Sequence, residues 1–309
     1  MRAAVYDAFT DTPEQPGAIE VREVDEPRLA PASVLVEVRA AGVNPVDWKV
    51  ATGGLDGMIP AAFPVIPGWD VAGVVVAVGL DTPDFAMGDE VMAYARKDVI
   101  QHGTFAERVA VPVSAVARKP AALSWEQAGG LPLAGGTALR TLDRLAVAAG
   151  DTVLVHAAAG GVGLMAVQIA TARGARVIGS ASERNHDHLR GLGAEPVAYG
   201  DGLVDAVRAL APDGVDAVAD FVGGQLETTL AVLRRGGRHA SIVDPDAPAH
   251  GGSRVWVRPD GRETARLGEL AAAGRLTVEV AGTFGLDQVS EAFAASREGH
   301  VRGKLVIVP

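Results

Sequence analysis

A buried strand that runs into a glycine-rich turn and an apolar helix is the segment that most constrains the fold of this chain. The strand Val153–His156 is followed by Ala-Ala-Ala-Gly-Gly-Val-Gly and then by an apolar stretch. Small residues at Ala158, Gly160 and Gly163 have the spacing of the G-x-G-x-x-G dinucleotide fingerprint, in which backbone approaches a pyrophosphate at a helix N-terminus. The first glycine is alanine here. The order of strand, turn and helix favours a nucleotide site over a turn without a ligand.

From residue 120 onward, helical and strand patterns alternate along the chain. Strands are predicted at 152–156, 175–180, 196–199, 215–221 and 237–243, with a possible last strand at 254–257. Helices are predicted near 124–127, 136–148, 161–173, 183–192, 202–210 and 225–234. Strands that alternate with helices in units of this length indicate a parallel, doubly wound sheet.

The first 119 residues have a different pattern, of short strands separated by Pro, Gly and Asp. These strands are predicted at Ala3–Tyr6, Ser33–Val38, Val71–Val78, Glu90–Tyr94 and Phe105–Val111. The pattern is typical of a mainly antiparallel β domain. A helix at 261–273 and a closing strand at 304–308 are expected to return to it. We therefore predict one domain from 1–119 plus 259–309, and a second from 120–258.

Composition narrows the classes of partner. The chain has 309 residues, 48% of them hydrophobic, but no run of about 18 apolar residues that would span a bilayer. Its first residues lack the apolar core of a signal peptide, so we expect a cytoplasmic protein without a membrane partner. Cysteine is absent, which excludes disulfides and thiolate catalysis. The net charge of -10 argues against nucleic acid as a partner.

Several motifs, in their order and spacing, resemble the medium-chain dehydrogenase/reductase superfamily, in its zinc-free quinone oxidoreductase branch with the zeta-crystallins and enone oxidoreductases. Besides the turn above, the motifs are Ala41–Asp47, Pro67–Gly73, Gly88–Val91, Gly103–Glu107, Leu131–Ala138 and Gly303–Val306. The resemblance covers almost the whole chain. It implies an α/β protein with a GroES-like, mainly antiparallel β catalytic domain, a Rossmann domain with a doubly wound parallel sheet, a substrate cleft between them and a homodimer.

The residue types predict that no catalytic zinc is bound. Zinc-dependent members of the superfamily hold the metal with a cysteine where this chain has Asn44, and with a histidine where it has Trp69. An amide and an indole cannot replace thiolate and imidazole as zinc ligands.

The end of the second predicted parallel strand favours NADP(H) over NAD(H). NAD-specific sites place an acidic residue there, about 20 positions after the turn, to bind the ribose 2′-hydroxyl. Here that position falls near Ala181, between Ser180 and Ser182, and Arg184 follows. Hydroxyls and a guanidinium suit a 2′-phosphate, whereas a carboxylate would repel it. Two alternatives stay open: Ser182 is a helix cap, and Glu183 is close enough to weaken the argument.

The resemblance and the strand ends together give a set of predicted cofactor contacts. They are Asn44, Thr137, Ala158, Gly160, Gly161, Val162, Gly163, Ser180, Ser182, Arg184, Tyr199, Phe221, Val222, Ile242, Val243 and Arg302. The family threonine that corresponds to Thr137 faces the nicotinamide, although the residue is equally a helix N-terminal one. Tyr199 and Arg302 are expected near the adenosine phosphate or, alternatively, as ordinary surface residues.

Hydride transfer needs no protein nucleophile, because the cofactor supplies the reactive hydrogen. By resemblance to enone and alkenal oxidoreductases, the predicted catalytic residues are Asn44, near the nicotinamide, and Lys49, near the substrate. Lys49 would donate a hydrogen bond to an enone oxygen and stabilise the enolate. The alternative is a solvated surface lysine. Asp47 is expected to hold the loop through hydrogen bonds rather than to act as an acid.

The chain is therefore predicted to be a zinc-independent, NADPH-dependent oxidoreductase that transfers hydride to a quinone or to the C=C bond of an α,β-unsaturated carbonyl compound. Two alternatives remain. One is an enoyl reductase dedicated to a single biosynthetic, polyketide-like intermediate. The other is a catalytically silent NADPH-binding protein that serves as a sensor or as a crystallin-like structural protein.

Overall fold

The computed structural model describes all residues from Met1 to Pro309, and the chain divides into two compact units. The first unit comprises Met1–Leu133, Arg258–Gly274 and Val278–Pro309; the second comprises Ala134–Val257 and Arg275–Thr277. The second unit is thus inserted, in sequence, within the first. Residues 120–133, predicted to be in the second domain, lie in the first unit, where the helix at 125–130 packs mainly on the strands at 33–43 and 70–78.

The helices and strands are as follows. The first part of unit 1 contains β1 (Arg2–Val5), β2 (Glu20–Glu23), β3 (Ser33–Val43), α1 (Pro45–Ala51), β4 (Ala61–Ile66), β5 (Asp70–Val78), β6 (Glu90–Tyr94), β7 (Ile100–His102), β8 (Arg108–Pro112), β9 (Val116–Arg118) and α2 (Trp125–Gly130). The helix α3 (Pro132–Arg144) leads into unit 2, which continues with β10 (Thr152–His156), α4 (Gly161–Ala172), β11 (Arg176–Ser180), α5 (His186–Gly191), β12 (Ala194–Val197), α6 (Leu203–Leu210), β13 (Val215–Asp220), α7 (Leu226–Val232), β14 (Leu233–Ser241) and β15 (Ser253–Arg254). The chain then returns to unit 1 with α8 (Gly261–Ala272), β16 (Val280–Phe284), α9 (Val289–Glu298) and β17 (Lys304–Ile307).

A seven-stranded, mostly antiparallel sheet forms the centre of unit 1, in the order β16-β17-β3-β5-β6-β9, with β8 also paired to β3. Its long strand β3 is nearly continuously buried, because it packs at the middle of the sheet. The register between β17 and β3 pairs Leu305 with Val43. Lys304 therefore lies next to Asn44, the residue that follows β3.

Unit 2 is a six-stranded parallel sheet in the order β12-β11-β10-β13-β14-β15. Numbered within the unit, this is the 3-2-1-4-5-6 order of the Rossmann fold, with a switch point beside the first strand. Val153, Leu154 and Val155 of that strand are all fully buried, as expected for a parallel sheet covered on both faces. The predicted α/β class with a GroES-like β domain and a Rossmann sheet is confirmed.

Several elements were not predicted. The segment 45–51 forms the short helix α1, and residues 280–298 form β16 and α9, whose Phe293 is fully buried. The expected strand at 254–257 is a two-residue ladder at Ser253–Arg254. No helix in the structure is both long and apolar enough to cross a membrane.

Candidate active site

The carboxyl edge of the parallel sheet in unit 2 brings together the predicted cofactor residues of that unit except Thr137, which lies in α3. The turn 157–160 leaves β10 at this edge, and α4 begins immediately afterwards with Gly160 as its N-cap. The ends of β11, β12, β13 and β14 contribute Ser180, Tyr199 and the pairs at 221–222 and 242–243. Backbone N–H groups at the start of α4 lack partners inside the helix, and they are suited to a pyrophosphate.

Each small residue of the turn has its own structural reason. The left-handed residue is Ala157, with φ 53°, so Ala158 does not need glycine. Ala158 is fully buried, and its backbone N–H donates to the Ser180 carbonyl at 2.9 Å. A Cβ at Gly160 would meet only the Ala157 oxygen, at 3.4 Å, whereas a Cβ at Gly163 would lie 2.1 Å from that oxygen. Gly163 is thus required by the fold, and Gly160 leaves its outer side open for a ligand.

Polar side chains that sequence reasoning missed lie beneath this edge. His156 is buried, with Nδ1 3.4 Å from Ser180 Oγ and Nε2 3.3 Å from Thr229 Oγ1. Burial lowers the pKa of His156 to about 4, against the opposing effect of Asp220, so the imidazole is neutral at pH 7. The Asp220 carboxylate accepts hydrogen bonds from Ser241 Oγ and from two backbone N–H groups of the loop that follows β13. The cluster therefore fixes the loop ends that surround the candidate cofactor site.

The predicted contacts at the end of β11 differ in accessibility. Ser180 is buried against His156, whereas Ser182 is half-buried and Arg184 is exposed, in a single 3₁₀ turn at Glu183–Asn185. The Ser182 hydroxyl accepts from Asn185 Nδ2 at 3.1 Å and makes no helix cap. The groups of this segment that can reach a ligand are therefore those of Ser182 and Arg184.

The remaining predicted contact residues differ in how exposed their side chains are. Thr137 is buried within α3, Tyr199, Val222 and Val243 are exposed, and Phe221 and Ile242 are partly exposed. Arg302 belongs to unit 1, where its Nε donates to Glu279 Oε1 at 2.6 Å. Their roles as cofactor contacts stay predictions.

In unit 1, a buried polar cluster surrounds the predicted catalytic residue Asn44. Its amide Nδ2 donates to Asp70 Oδ2 at 2.9 Å, and its Oδ1 accepts from Lys304 Nζ at 2.5 Å. Lys304 also donates to the Val43 carbonyl at 2.8 Å, and Asp70 Oδ1 accepts from the Leu133 backbone N–H at 2.8 Å. Both ends of the Asn44 amide are thus held by protein groups.

Asp47 occupies the first turn of α1, and its Oδ2 accepts from the Asn44 backbone N–H at 2.7 Å. Its other oxygen, Oδ1, is buried without a hydrogen-bond partner. Burial raises the pKa of Asp47 to about 8 and that of Asp70 to about 6, and it lowers the pKa of Lys304. The loop-holding role expected for Asp47 agrees with this hydrogen bond.

Lys49, the other predicted catalytic residue, is exposed on α1. Its Nζ lies 5.4 Å from the centroid of the Trp48 ring, and the Arg297 guanidinium lies 5.5 Å from the same centroid. The Trp48 indole donates to Ser296 Oγ at 3.2 Å, which ties α1 to α9. The position is compatible with a substrate contact and with a solvated lysine.

The residues at the family's zinc position do not fit a zinc ion. The Asn44 amide oxygen is bound by an ammonium group, and the Trp69 indole nitrogen is only a donor. No group of three His, Cys, Asp or Glu side chains is placed to hold a metal.

Comparison with known proteins places this geometry in a family. The model for the alcohol dehydrogenase GroES-like domain matches residues 30–121, and the model described as zinc-binding dehydrogenase matches residues 192–307. An NADPH-dependent alkenal/one oxidoreductase of Arabidopsis thaliana chloroplasts is 32% identical over 321 residues, covering 100% of this chain and 80% of the relative.

Two further relatives match this chain over nearly their whole lengths. A chloroplastic quinone oxidoreductase of Triphysaria versicolor is 29% identical and covers 100% of this chain and 98% of the relative. The solved structure of a quinone oxidoreductase from Coxiella burnetii superposes with a TM-score of 0.89 at 32% identity, covering 100% of this chain and 99% of that one. The similarity thus includes both compact units.

Proposed function

Because this chain belongs to the medium-chain dehydrogenase/reductase superfamily, among the quinone and alkenal oxidoreductases, we propose that it reduces quinones or the C=C bond of α,β-unsaturated carbonyl compounds with NADPH. The observation that carries the proposal is the similarity of this whole chain to 80% of an NADPH-dependent alkenal/one oxidoreductase. The 3-2-1-4-5-6 sheet with the turn 157–163 at its carboxyl edge supports it, because that edge binds dinucleotides in this type of fold.

The residues at that edge fit NADP(H). The start of α4 offers backbone N–H groups for the pyrophosphate, and the open side of Gly160 allows close approach. Ser182 and Arg184 offer a hydroxyl and a guanidinium for the 2′-phosphate. When bound, NADPH supplies the hydride. The chain's own residues must then orient the acceptor, exclude water and stabilise the oxyanion that develops on it.

For the acceptor side, the proposal assigns the polarising role to Lys49 and the nicotinamide contact to Asn44. An enone that receives a hydride at its β-carbon becomes an enolate, whose oxygen a lysine ammonium stabilises. The α-carbon then takes one proton, so each turnover consumes one NADPH and one proton. We further propose a cytoplasmic homodimer that acts on small molecules, without nucleic acid or membrane partners; the net charge of -10 supports the exclusion of nucleic acid.

Steady-state NADPH oxidation with a panel of simple quinones, alkenals and enones tests the function. Turnover with several members of either class is the expected result. Tight NADPH binding without turnover on the panel would instead indicate the catalytically silent protein. Turnover confined to one thioester-linked enoyl substrate would indicate the dedicated enoyl reductase.

Replacing Arg184 with alanine tests the cofactor assignment. Loss of the guanidinium removes a charge-assisted contact to the 2′-phosphate, so we expect the preference for NADPH over NADH to narrow about tenfold, with NADH affinity unchanged. Arg190→Ala is the matched control, because Arg190 is also exposed on the following helix and pairs with Asp187 at 2.6 Å. Equal affinities of the wild type for both cofactors, measured by fluorescence titration, would refute the assignment.

A further inference from the structure

Lys304 is a buried lysine to which the proposed function gives no task. Only 4% of Lys304 is exposed, and its ammonium group donates hydrogen bonds to the Val43 carbonyl and to Asn44 Oδ1. Lysines are almost never buried to this degree unless their charge is paired. The pairing of β17 with β3 places Lys304 beside the end of β3, so its position follows from the sheet register.

The ammonium group determines the orientation of the Asn44 amide. Asn44 Oδ1 faces Lys304 Nζ, and Asn44 Nδ2 faces Asp70 Oδ2. A flipped amide would point its NH₂ group at the ammonium and its carbonyl at the carboxylate, with repulsion at both ends. Because the Asn44 amide lies between an ammonium group and a carboxylate, only one orientation of that amide is favourable.

The same contacts anchor the start of α1. This helix has seven residues, too few to be stable on its own, and Asn44 is its N-cap. The Asn44 backbone N–H is bound by Asp47, while the Asn44 side chain is bound from two other strands, by Asp70 at the start of β5 and Lys304 at the start of β17. Lys49 lies one turn further along the same helix.

We propose that Lys304 is a positioning residue, whose buried ammonium group fixes the Asn44 amide and thereby the start of the helix that carries Lys49. The consequence for turnover rests on the proposed function, because it assumes that Asn44 and Lys49 face the reacting groups. The positioning itself does not depend on that assumption.

A neutral side chain of the same length cannot take over this task. It would leave Asn44 Oδ1 without a donor and Asp70 without its nearby cation, and buried unpaired groups are strongly unfavourable. The surroundings offer little room for another arrangement. A Cβ at Gly130 of α2 would lie 3.3 Å from Lys304 Cβ, so helix backbone packs against the lysine stem.

Because the chain contains no cysteine, the charge of the side chain at position 304 can be tested separately from its length and shape. In Lys304→Cys, the only thiol is alkylated in denaturant and the protein is refolded. 2-Bromoethylamine gives a thioether that restores an ammonium at the length of lysine, whereas 1-bromopropane gives a neutral side chain of that length. Wild-type protein taken through the same cycle controls for refolding. Lys119→Met controls for loss of another lysine in unit 1, since the Lys119 side chain is 5% exposed and pairs with Glu90.

Two measurements are compared between the alkylated forms. Hydrogen exchange of a peptide covering 46–52 reports the anchoring of α1, and kcat with the best acceptor of the panel reports its consequence. We expect the propyl form to exchange at least tenfold faster in this peptide and to lose at least tenfold in kcat. The aminoethyl form should stay within about threefold of wild type in both. NADPH affinity should fall by less than kcat in the propyl form, since most of the proposed cofactor contacts lie in unit 2.

Equal exchange in the propyl and aminoethyl forms would overturn the proposal, as would an aminoethyl form no better than the propyl form. A propyl form that fails to fold also counts against it, because the proposal confines the loss to α1 and its surroundings. If wild type turns over no member of the panel, the proposed function fails, and the exchange measurement still decides the role of Lys304.

Discussion

Replacing Gly163 with alanine is expected to destabilise the protein by about 3 kcal/mol, because the new methyl group has no space to occupy. Its Cβ would lie 2.1 Å from the Ala157 oxygen and 2.8 Å from Ala158 Cα, and both are backbone atoms that cannot rotate away. The start of α4 must therefore move from β10. Thermal and denaturant unfolding measure the loss of stability, and NADPH titration should show weakened binding at temperatures where the variant is folded.

Gly160→Ala is the matched control for this prediction, and it separates the needs of the fold from those of the ligand. Gly160 has φ -75° as N-cap of α4, and a Cβ there would make one ordinary contact, at 3.4 Å. The melting temperature of the Gly160→Ala protein should therefore stay close to that of wild type. If the pyrophosphate binds here, the methyl group lies in its way and NADPH affinity falls at least tenfold. A Gly160→Ala protein with normal NADPH binding would place the cofactor elsewhere, and a stable Gly163→Ala protein would contradict the packing argument.

Lys49→Met is expected to lower kcat about 30-fold, which corresponds to about 2 kcal/mol of transition-state stabilisation. Methionine keeps much of the length of the side chain and removes only its charge and its hydrogen-bond donors. NADPH affinity and melting temperature should change little, because Lys49 is exposed and its contact with Trp48 is worth about 1 kcal/mol or less at such a site. Single-turnover measurements of hydride transfer separate the chemical step from product release.

Arg297→Met controls for the ring contact, because the Arg297 guanidinium lies over the same Trp48 ring at nearly the same distance. Arg297 also pairs with Glu14, so its replacement tests whether any loss of charge near this ring lowers turnover. If kcat is unchanged in Lys49→Met, or falls equally in Lys49→Met and Arg297→Met, then Lys49 does not polarise the acceptor and is an ordinary surface lysine.

The sequence was a good guide to features determined by local pattern. The alternation of strands and helices predicts the Rossmann sheet, and the turn predicts the N-terminus of α4. The turn was recognised despite alanine at position 158, and the structure explains why alanine is accommodated there. The left-handed residue is Ala157, one position earlier. Local periodicity also predicts β3, but as a strand that ends at Val38 rather than at Val43.

The buried cluster around Asn44 could not be predicted in this way, because its members are brought together by pairing between distant strands. Lys304 Nζ and Asn44 Oδ1 are 260 positions apart in the chain. A lysine next to an apolar run normally indicates a strand end in solvent, and nothing local reveals that the β17 register buries it. His156 was missed for a similar reason, since its partners come from β11 and α7.

The pairing of β17 with β3 also has a consequence for the order in which the protein is made. The ribosome synthesises all of unit 2 before it reaches Lys304, so the nucleotide-binding sheet, whose strand pairings are largely sequential, has every residue it needs while unit 1 still lacks an element of its central sheet. Contacts this far apart in sequence are slow to form. Until they form, the Asn44 side-chain oxygen lacks the ammonium group that binds it in the folded protein. The nascent chain therefore contains the whole parallel sheet of unit 2 before the Asn44 amide can gain its ammonium partner.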